Sequence, residues 1–339
     1  MRFIVDITPD AVDKIQNQIR KGEYRTIQEF ISTAIQNQIY LIEQPIEQTP
    51  EPLTIKTTPV TKDNQTSKEN ILGKIEDDIE TVEANPQRHL DTLSGFWNKF
   101  FPVKITVRTL QNLIHNQSSP ILLDELHESA SREARKVGLS LVRSEKGSGR
   151  KRGDRLFTGL PVNKNSEKSR SRFKSHFVGE QRSNIVDGMP GTLRLLTIFS
   201  GQDGKDYVSL TPLGLEFSNI ANPYLDNNNK NSVLSDEENG FLLRIISQNL
   251  PKEFEDMENI LNLVKKGQNT TEDLYNSIRE KKPDFSKNEV QTYLSGHLNR
   301  MTDLDLLIRK YVGLAYFYEV SEKGYKLITK NKPSIKGGS

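Results

Sequence analysis

Residues 286–324 read SKNEVQTYLSGHLNRMTDLDLLIRKYVGLAYFYEVSEKG. Ser286 followed by Glu289 has the spacing of a helix capping box, in which each residue satisfies the other's free backbone N–H. Val290, Tyr293, Leu294, Leu298 and Met301 then recur at helical spacing. Residues 306–310 and Ala315 to Val320 form two strand-like runs around Gly313, the pattern of a β-hairpin. Ser321, three residues before Gly324, opens a last helix. Upstream, Ser235 with Glu238 and Thr270 with Asp273 cap two more helices, carrying Phe241, Leu242, Ile245, Ile246, Leu250 and Leu274, Ile278. Between them Met257, Ile260, Leu261 and Val264 mark another helix, closed by Gly267.

Helices, a capped helix and a hairpin in this order resemble the winged helix-turn-helix family. The resemblance implies a domain over 233–330 with the helix after Ser286 in the recognition position. Its outward residues are Lys287, Asn288, Gln291, Thr292, Ser295 and Asn299. Asn and Gln pair with adenine in the major groove, and Lys with guanine or phosphate. The plain alternative is a solvated face of an amphipathic helix, or a module that binds protein.

A second copy is expected at 89–225. DYVSLTPLG at 206–214 parallels YEVSEKG at 318–324: strand, hydroxyl cap, two residues, Gly, helix. Gln202, Asp203 and Gly204 supply a hairpin turn. Val107, Leu110, Leu113 and Ile114 suggest one helix, Leu122, Leu123, Leu126, Ala130 and Ala134 another, and Ser166 caps a third through Phe173 and Phe177. The length between these helices implies an insertion before the recognition helix. From Arg132 to Arg182 there are fifteen bases against five acids, a net +10 where the whole chain carries +2. Such a field attracts polyanions and makes binding salt-dependent. Arg150, Lys151 and Arg152 sit in a Gly-rich run suited to a minor groove, and Arg170, Arg172 and Lys174 follow on the next helix. A merely solvated loop is the alternative.

At the other end, Phe3, Val5 and Ile7 alternate as in a strand. Thr8 and Pro9 open a helix with Val12, Ile15 and Ile19, and Gly22 ends it. Thr26 and Glu29 cap a second helix carrying Phe30, Ile31, Ala34, Ile35 and Ile39. Strand, helix, glycine turn and capped helix within residues 1–43 resemble the ribbon-helix-helix family, of the Arc, MetJ and CopG kind. In that family two chains pair strands and interlock helices, so the resemblance implies a homodimer through residues 1–43. Arg2, Ile4 and Asp6 take the groove face, and Arg25 and Thr26 the phosphate clamp. An aliphatic and an acid suit a groove poorly, so the module is either a reader of DNA or a dimerisation clip. Closely spaced prolines and polar residues mark 44–88 as a flexible linker, with a short helix around Ile71 to Val82.

The chain has 339 residues and no cysteine, which excludes disulfides and thiolate sites. The early acid at Asp6 speaks against a signal peptide, and no apolar run spans a bilayer. The five histidines show no metal-ligand spacing. Gly201 to Lys205 is no phosphate loop, and Glu125 and Glu128 have no evident base or nucleophile. No enzyme, cofactor or metal is expected. The expectation is a mainly α chain with small β elements: a ribbon-helix-helix module, a linker and two tandem winged helices. Its function would be that of a cytoplasmic, nucleoid-associated prokaryotic transcriptional regulator on double-stranded DNA, without membrane contact. The alternatives are a DNA-organising or partition-type protein, and an adaptor for an unknown protein partner, antitoxin-like or part of a defence system.

Overall fold

The computed structural model describes residues 72–75, 79–84, 90–117, 119–163, 167–182, 185–312 and 315–330, with Gln16 alone before them. The chain divides into two units, Met1–Thr66 and Ser67–Ser339. The ribbon-helix-helix expectation for 1–43, with Arg2, Ile4, Asp6, Arg25 and Thr26, lies outside the described residues. So do Ser166, Gly313 and the tail after Lys330. The second unit is mainly helical with small antiparallel sheets.

Its centre is α1 (Phe101–Gln117), buried on every side from Phe101 to Gln111. A helix surrounded by protein needs partners for any polar group it carries. Lys104, Arg108 and Gln111 lie at i, i+4 and i+7, hence on one face. That face meets the end of α5 (Pro212–Asn219), whose last carbonyls have no partner within their own helix. Lys104 donates to the Phe217 carbonyl and, at 2.7 Å, to that of Ile220. Arg108 donates to Ser218 O at 2.8 Å and Ile220 O at 3.0 Å, and pairs with Asp226. Two cations at a helix C-terminus also match its dipole.

The first half continues from α1 through β1 (Ile121–Leu122), α2 (Leu123–Ser144) and α3 (Glu167–Phe177). A hairpin follows, β2 (Glu180–Arg182) with β3 (Ile185–Asp187), then a short α4 (Met189–Thr192), β4 (Leu196–Ser200), β5 (Asp206–Leu210) and α5. The sheet order is β1-β5-β4, with Ile121 opposite Val208. Leu122, expected to begin the second helix, belongs to β1 and stands at the position just before α2 without a capping bond from its side chain.

The second half comprises α6 (Asp236–Asn249), α7 (Pro251–Lys265), α8 (Thr271–Lys281), α9 (Lys287–Asp303), β6 (Leu307–Val312), β7 (Ala315–Val320) and α10 (Glu322–Lys330). The capping boxes at Ser235, Thr270 and Ser286 are all formed. Thr270 bridges Phe317 of β7, as β1 pairs with β5 in the first half. Leaving aside α3 and the β2–β3 hairpin, the two halves therefore share one order of helix, short strand or isolated bridge, helix, helical segment, hairpin and helix.

The repeat extends to single atoms. Leu193-Arg194-Leu195-Leu196 and Leu304-Asp305-Leu306-Leu307 leave their helices through left-handed residues, Arg194 at φ 59° and Asp305 at φ 57°. The Thr211 hydroxyl donates to Arg194 O at 2.6 Å and accepts from Gly214 N at 3.0 Å. Ser321 does the same with Asp305 O at 2.6 Å and Gly324 N at 3.0 Å. One hydroxyl thus ties the hairpin's entry to its exit and caps the helix that follows.

The two halves are not separate bodies, because their buried residues form one continuous core. Phe217 of α5 stacks on Phe241 of α6 at 5.2 Å, and Lys104 pairs with Glu238 at 3.0 Å, both fully buried. Part of the expected linker is also docked. Leu72 is buried and its carbonyl accepts from Arg108 at 2.8 Å, and Val82 N–H donates to Leu210 O at 2.9 Å. The described residues of the 71–82 stretch form a turn, a bend and irregular chain rather than the expected helix. The backbone here bonds to side chains and carbonyls of the folded body, which replaces the helical pattern.

Candidate nucleic-acid interface

The N-terminus of α9 is fixed by Ser286, whose hydroxyl accepts from Glu289 N while Glu289 accepts from Ser286 N at 2.7 Å. Hydrogen bonds from the Ser286 hydroxyl and from its backbone N–H hold the Glu289 carboxyl below its usual range. Val290, Leu294, Leu298 and Met301 face the core. Lys287, Asn288, Gln291 and Ser295 are exposed. At 100° per residue these four fall within about a third of the helix circumference, a continuous polar stripe.

Thr292 does not belong to that stripe. The loop of Ser94 to Trp97 lies on it, so close that a Cβ on Gly95 would stand 2.6 Å from Thr292 O. A Cβ on Gly296 would stand 2.6 Å from Gly95 O, so the approach needs glycine on both sides. Arg300 holds the loop, with Nη1 donating to Ser94 O at 3.0 Å and Trp97 O at 2.8 Å. Its other donors go to Glu253 Oε1 at 2.9 and 2.7 Å. Glu253 Oε2 accepts from Leu93 N at 3.0 Å and lies 3.3 Å from His297 Nε2. Burial opposes ionisation of Glu253, but Arg300 and His297 outweigh it and hold the carboxyl at about 2.

The far end of α9 meets the basic loop. Arg309 on β6 donates to Asn299 Oδ1 at 2.7 Å and to Asp154 Oδ1 at 3.0 Å. Its guanidinium lies over the Tyr316 and Tyr318 rings, 5.4 and 5.6 Å from their centroids. Lys151 stands 4.8 Å over the Tyr311 ring of the same strand. A Cβ on Gly153 would come within 2.6 Å of Arg309 Nη1, so the loop is seated against the hairpin. The net +10 segment and the α9 stripe, remote in sequence, are therefore joined through Asn299, Arg309 and Asp154.

The other expected cations differ in their freedom. Arg150 is drawn back to Glu145 at 3.5 Å and Asn231 O at 3.1 Å. Lys174 pairs with Glu128, and that bond with the lysine charge holds the Glu128 carboxyl below its usual range. Arg170 and Arg172 are exposed on α3. Arg152 lies in a 3-10 turn (Arg152–Asp154), and its side chain is outside the description.

Sequence reasoning missed Arg309, Tyr311 and the loop around Phe96. Arg309 and Tyr311 alternate along a strand like any hairpin residues, and nothing local marks their partners.

In the first half, the place of α9 is taken by α3, the β2–β3 hairpin and the four-residue α4. Gly179 and Gly188 close the base of that hairpin, where a Cβ on Gly188 would lie 2.6 Å from Gly179 Cα. Among the described residues, α3 and α4 stand there separated by the hairpin rather than as one long helix like α9.

An open cleft of about 660 Å³ between α5 and α6 is lined by Glu216, Ile220, Phe241 and Arg244, and Arg244 pairs with Glu216. Among the described residues, no three His, Cys, Asp or Glu side chains gather as a metal site, and no helix is long and apolar enough to cross a membrane. Comparison with protein-family models, curated proteins and solved structures found no match.

Proposed function

We propose that this chain is a DNA-binding protein acting as a transcriptional regulator, built from two winged helix-turn-helix modules. In this reading α9 is the recognition helix, β6–β7 is its wing, and the loop of Lys146 to Arg155 follows the phosphates beside it. Residues 1–43 supply a homodimer. The observation that carries the reading is the junction of Asn299, Arg309 and Asp154. It sets the most basic segment against the hairpin next to an exposed Lys, Asn, Gln and Ser stripe. Phosphate contacts position such a protein, and Asn288 and Gln291 carry the chemistry to read adenine edges.

At the corresponding place the first half has α3 and the short α4 separated by a hairpin, and its role is support. It supplies the loop and buttresses the second half through Lys104 on Glu238 and Phe217 on Phe241.

Selection from a random duplex pool tests the reading. The full chain enriches a bounded sequence. The double variant N288A/Q291A loses about tenfold of that preference while its affinity for unselected DNA changes little. A pool with no enrichment points instead to a protein that coats DNA without reading it. Equal preference in the variant removes α9 as the reader.

A further inference from the structure

Phe96 is 65% exposed, while Leu93 and Trp97 on either side are buried at 3% and 4%. One exposed ring is by itself ordinary at a protein surface; this one stands on a loop that buried groups hold in place. The carbonyls of Ser94 and Trp97, which bracket the ring, both accept from Arg300 Nη1, and Trp97 N donates to Ser94 O at 3.0 Å. Gly95 is pressed onto α9 at Thr292. The buried Arg300, Glu253 and His297 cluster thus fixes the position of an exposed ring.

The surroundings indicate what the ring meets. On one side it faces the His176 ring of α3, with centroids 6.3 Å apart. Arg172, one helical turn before His176, is exposed, and burial together with the Arg172 charge pushes the His176 imidazole below its usual range. On the other side, Thr292 under Gly95 has Asn288 and Ser295 as its neighbours on the exposed stripe. A single aromatic ring among polar and charged groups, Arg172 with Asp187 near His176 and Glu289 one turn before Thr292, is poorly matched to an apolar protein surface. It is well matched to a base, whose face stacks on a ring while its phosphates meet cations.

We propose that Phe96 is a base-stacking site, whose ring takes an unpaired nucleobase of DNA held along α9. This rests on the nucleic-acid reading of α9. It adds that the protein favours DNA in which a base has left the stack, since unstacking a paired base costs energy that a bulged base has already spent.

The test is anisotropy with the full chain on two probes, a mixed-sequence duplex and the same duplex with one bulged nucleotide. The chain binds the bulged probe about tenfold more tightly. F96A removes that preference and F96W keeps it, and both melt at the parent temperature because the ring is exposed. K287A weakens both probes alike. Equal affinity for the two probes, or F96A with its preference intact, overturns the stacking site while leaving α9 as the DNA surface. Loss of self-association in F96A, with the bulge preference unchanged, assigns the ring to a second copy of the chain instead. Failure to bind either probe overturns both readings.

Discussion

A guanidinium and a carboxylate taken out of water lose more in hydration than their mutual attraction returns, unless other partners saturate them. Arg300 and Glu253 are both fully buried, and both are saturated: the guanidinium by one carboxylate and two carbonyls, the carboxylate by Arg300, Leu93 N–H and the nearby His297. The Glu253 pKa of about 2 lies below its ordinary 4.5. Its ionised form therefore stabilises the fold fully above pH 4.5, and that contribution is lost as pH falls towards 2. Glu253→Gln leaves Arg300 charged and buried without its counter-ion, and is expected to cost about 3–5 kcal/mol at neutral pH. Urea unfolding of both proteins across this range checks the sign: the gap between them narrows as pH falls from 4.5. A gap independent of pH contradicts the ionised cluster. Lys104 shows the opposite balance, since burial outweighs Glu238 and pulls the ammonium down to about 8.

At the scale of elements, what was legible in the sequence was local. Ser286 with Glu289, Thr270 with Asp273 and Ser235 with Glu238 announce helix starts because a capping box is complete within four consecutive residues. The β4–β5 and β6–β7 hairpins declare themselves by alternation and turn residues, whereas the short β2–β3 hairpin gives no such sign. The parallel between 206–214 and 318–324 was readable as well, because one hydroxyl and one glycine recur at fixed spacing. What was not legible is long-range. Arg108 meets Leu72 O and Arg300 meets Ser94 O, and buried Lys or Arg on a polar-looking helix gives no local sign that it ends on a distant carbonyl. For the same reason, the docked stretch within 72–84 reads as linker, and Thr292 reads as part of the exposed stripe. The two glycines after the hydroxyl caps carry a prediction. A Cβ on Gly214 would meet Leu195 O at 1.8 Å, and one on Gly324 would meet Leu306 O at 2.4 Å. Gly324→Ala is expected to cost about 1–3 kcal/mol and Gly214→Ala more, as read by melting temperature. If both are neutral, the hairpin-to-helix corner is not the shared closure described.

The whole second unit gathers a weakly charged chain into a body with one strongly basic segment. Charge that sums to +2 over 339 residues is concentrated at 132–182, and the fold seats part of that segment on the C-terminal hairpin beside α9. The sequence displays the segment and the helix; their adjacency depends on Arg309, which only the fold brings between Asn299 and Asp154. If that adjacency makes a DNA surface, its cations act together on phosphates, and each contact releases counter-ions. The most direct measurement is the affinity of the full chain for double-stranded DNA against salt concentration, compared with a variant in which Lys151 and Lys287 are both Ala. The expected result is a steep negative log–log slope for the parent chain and a slope shallower by about two for the variant. Identical slopes in the two proteins, or no DNA binding at low salt, contradict it.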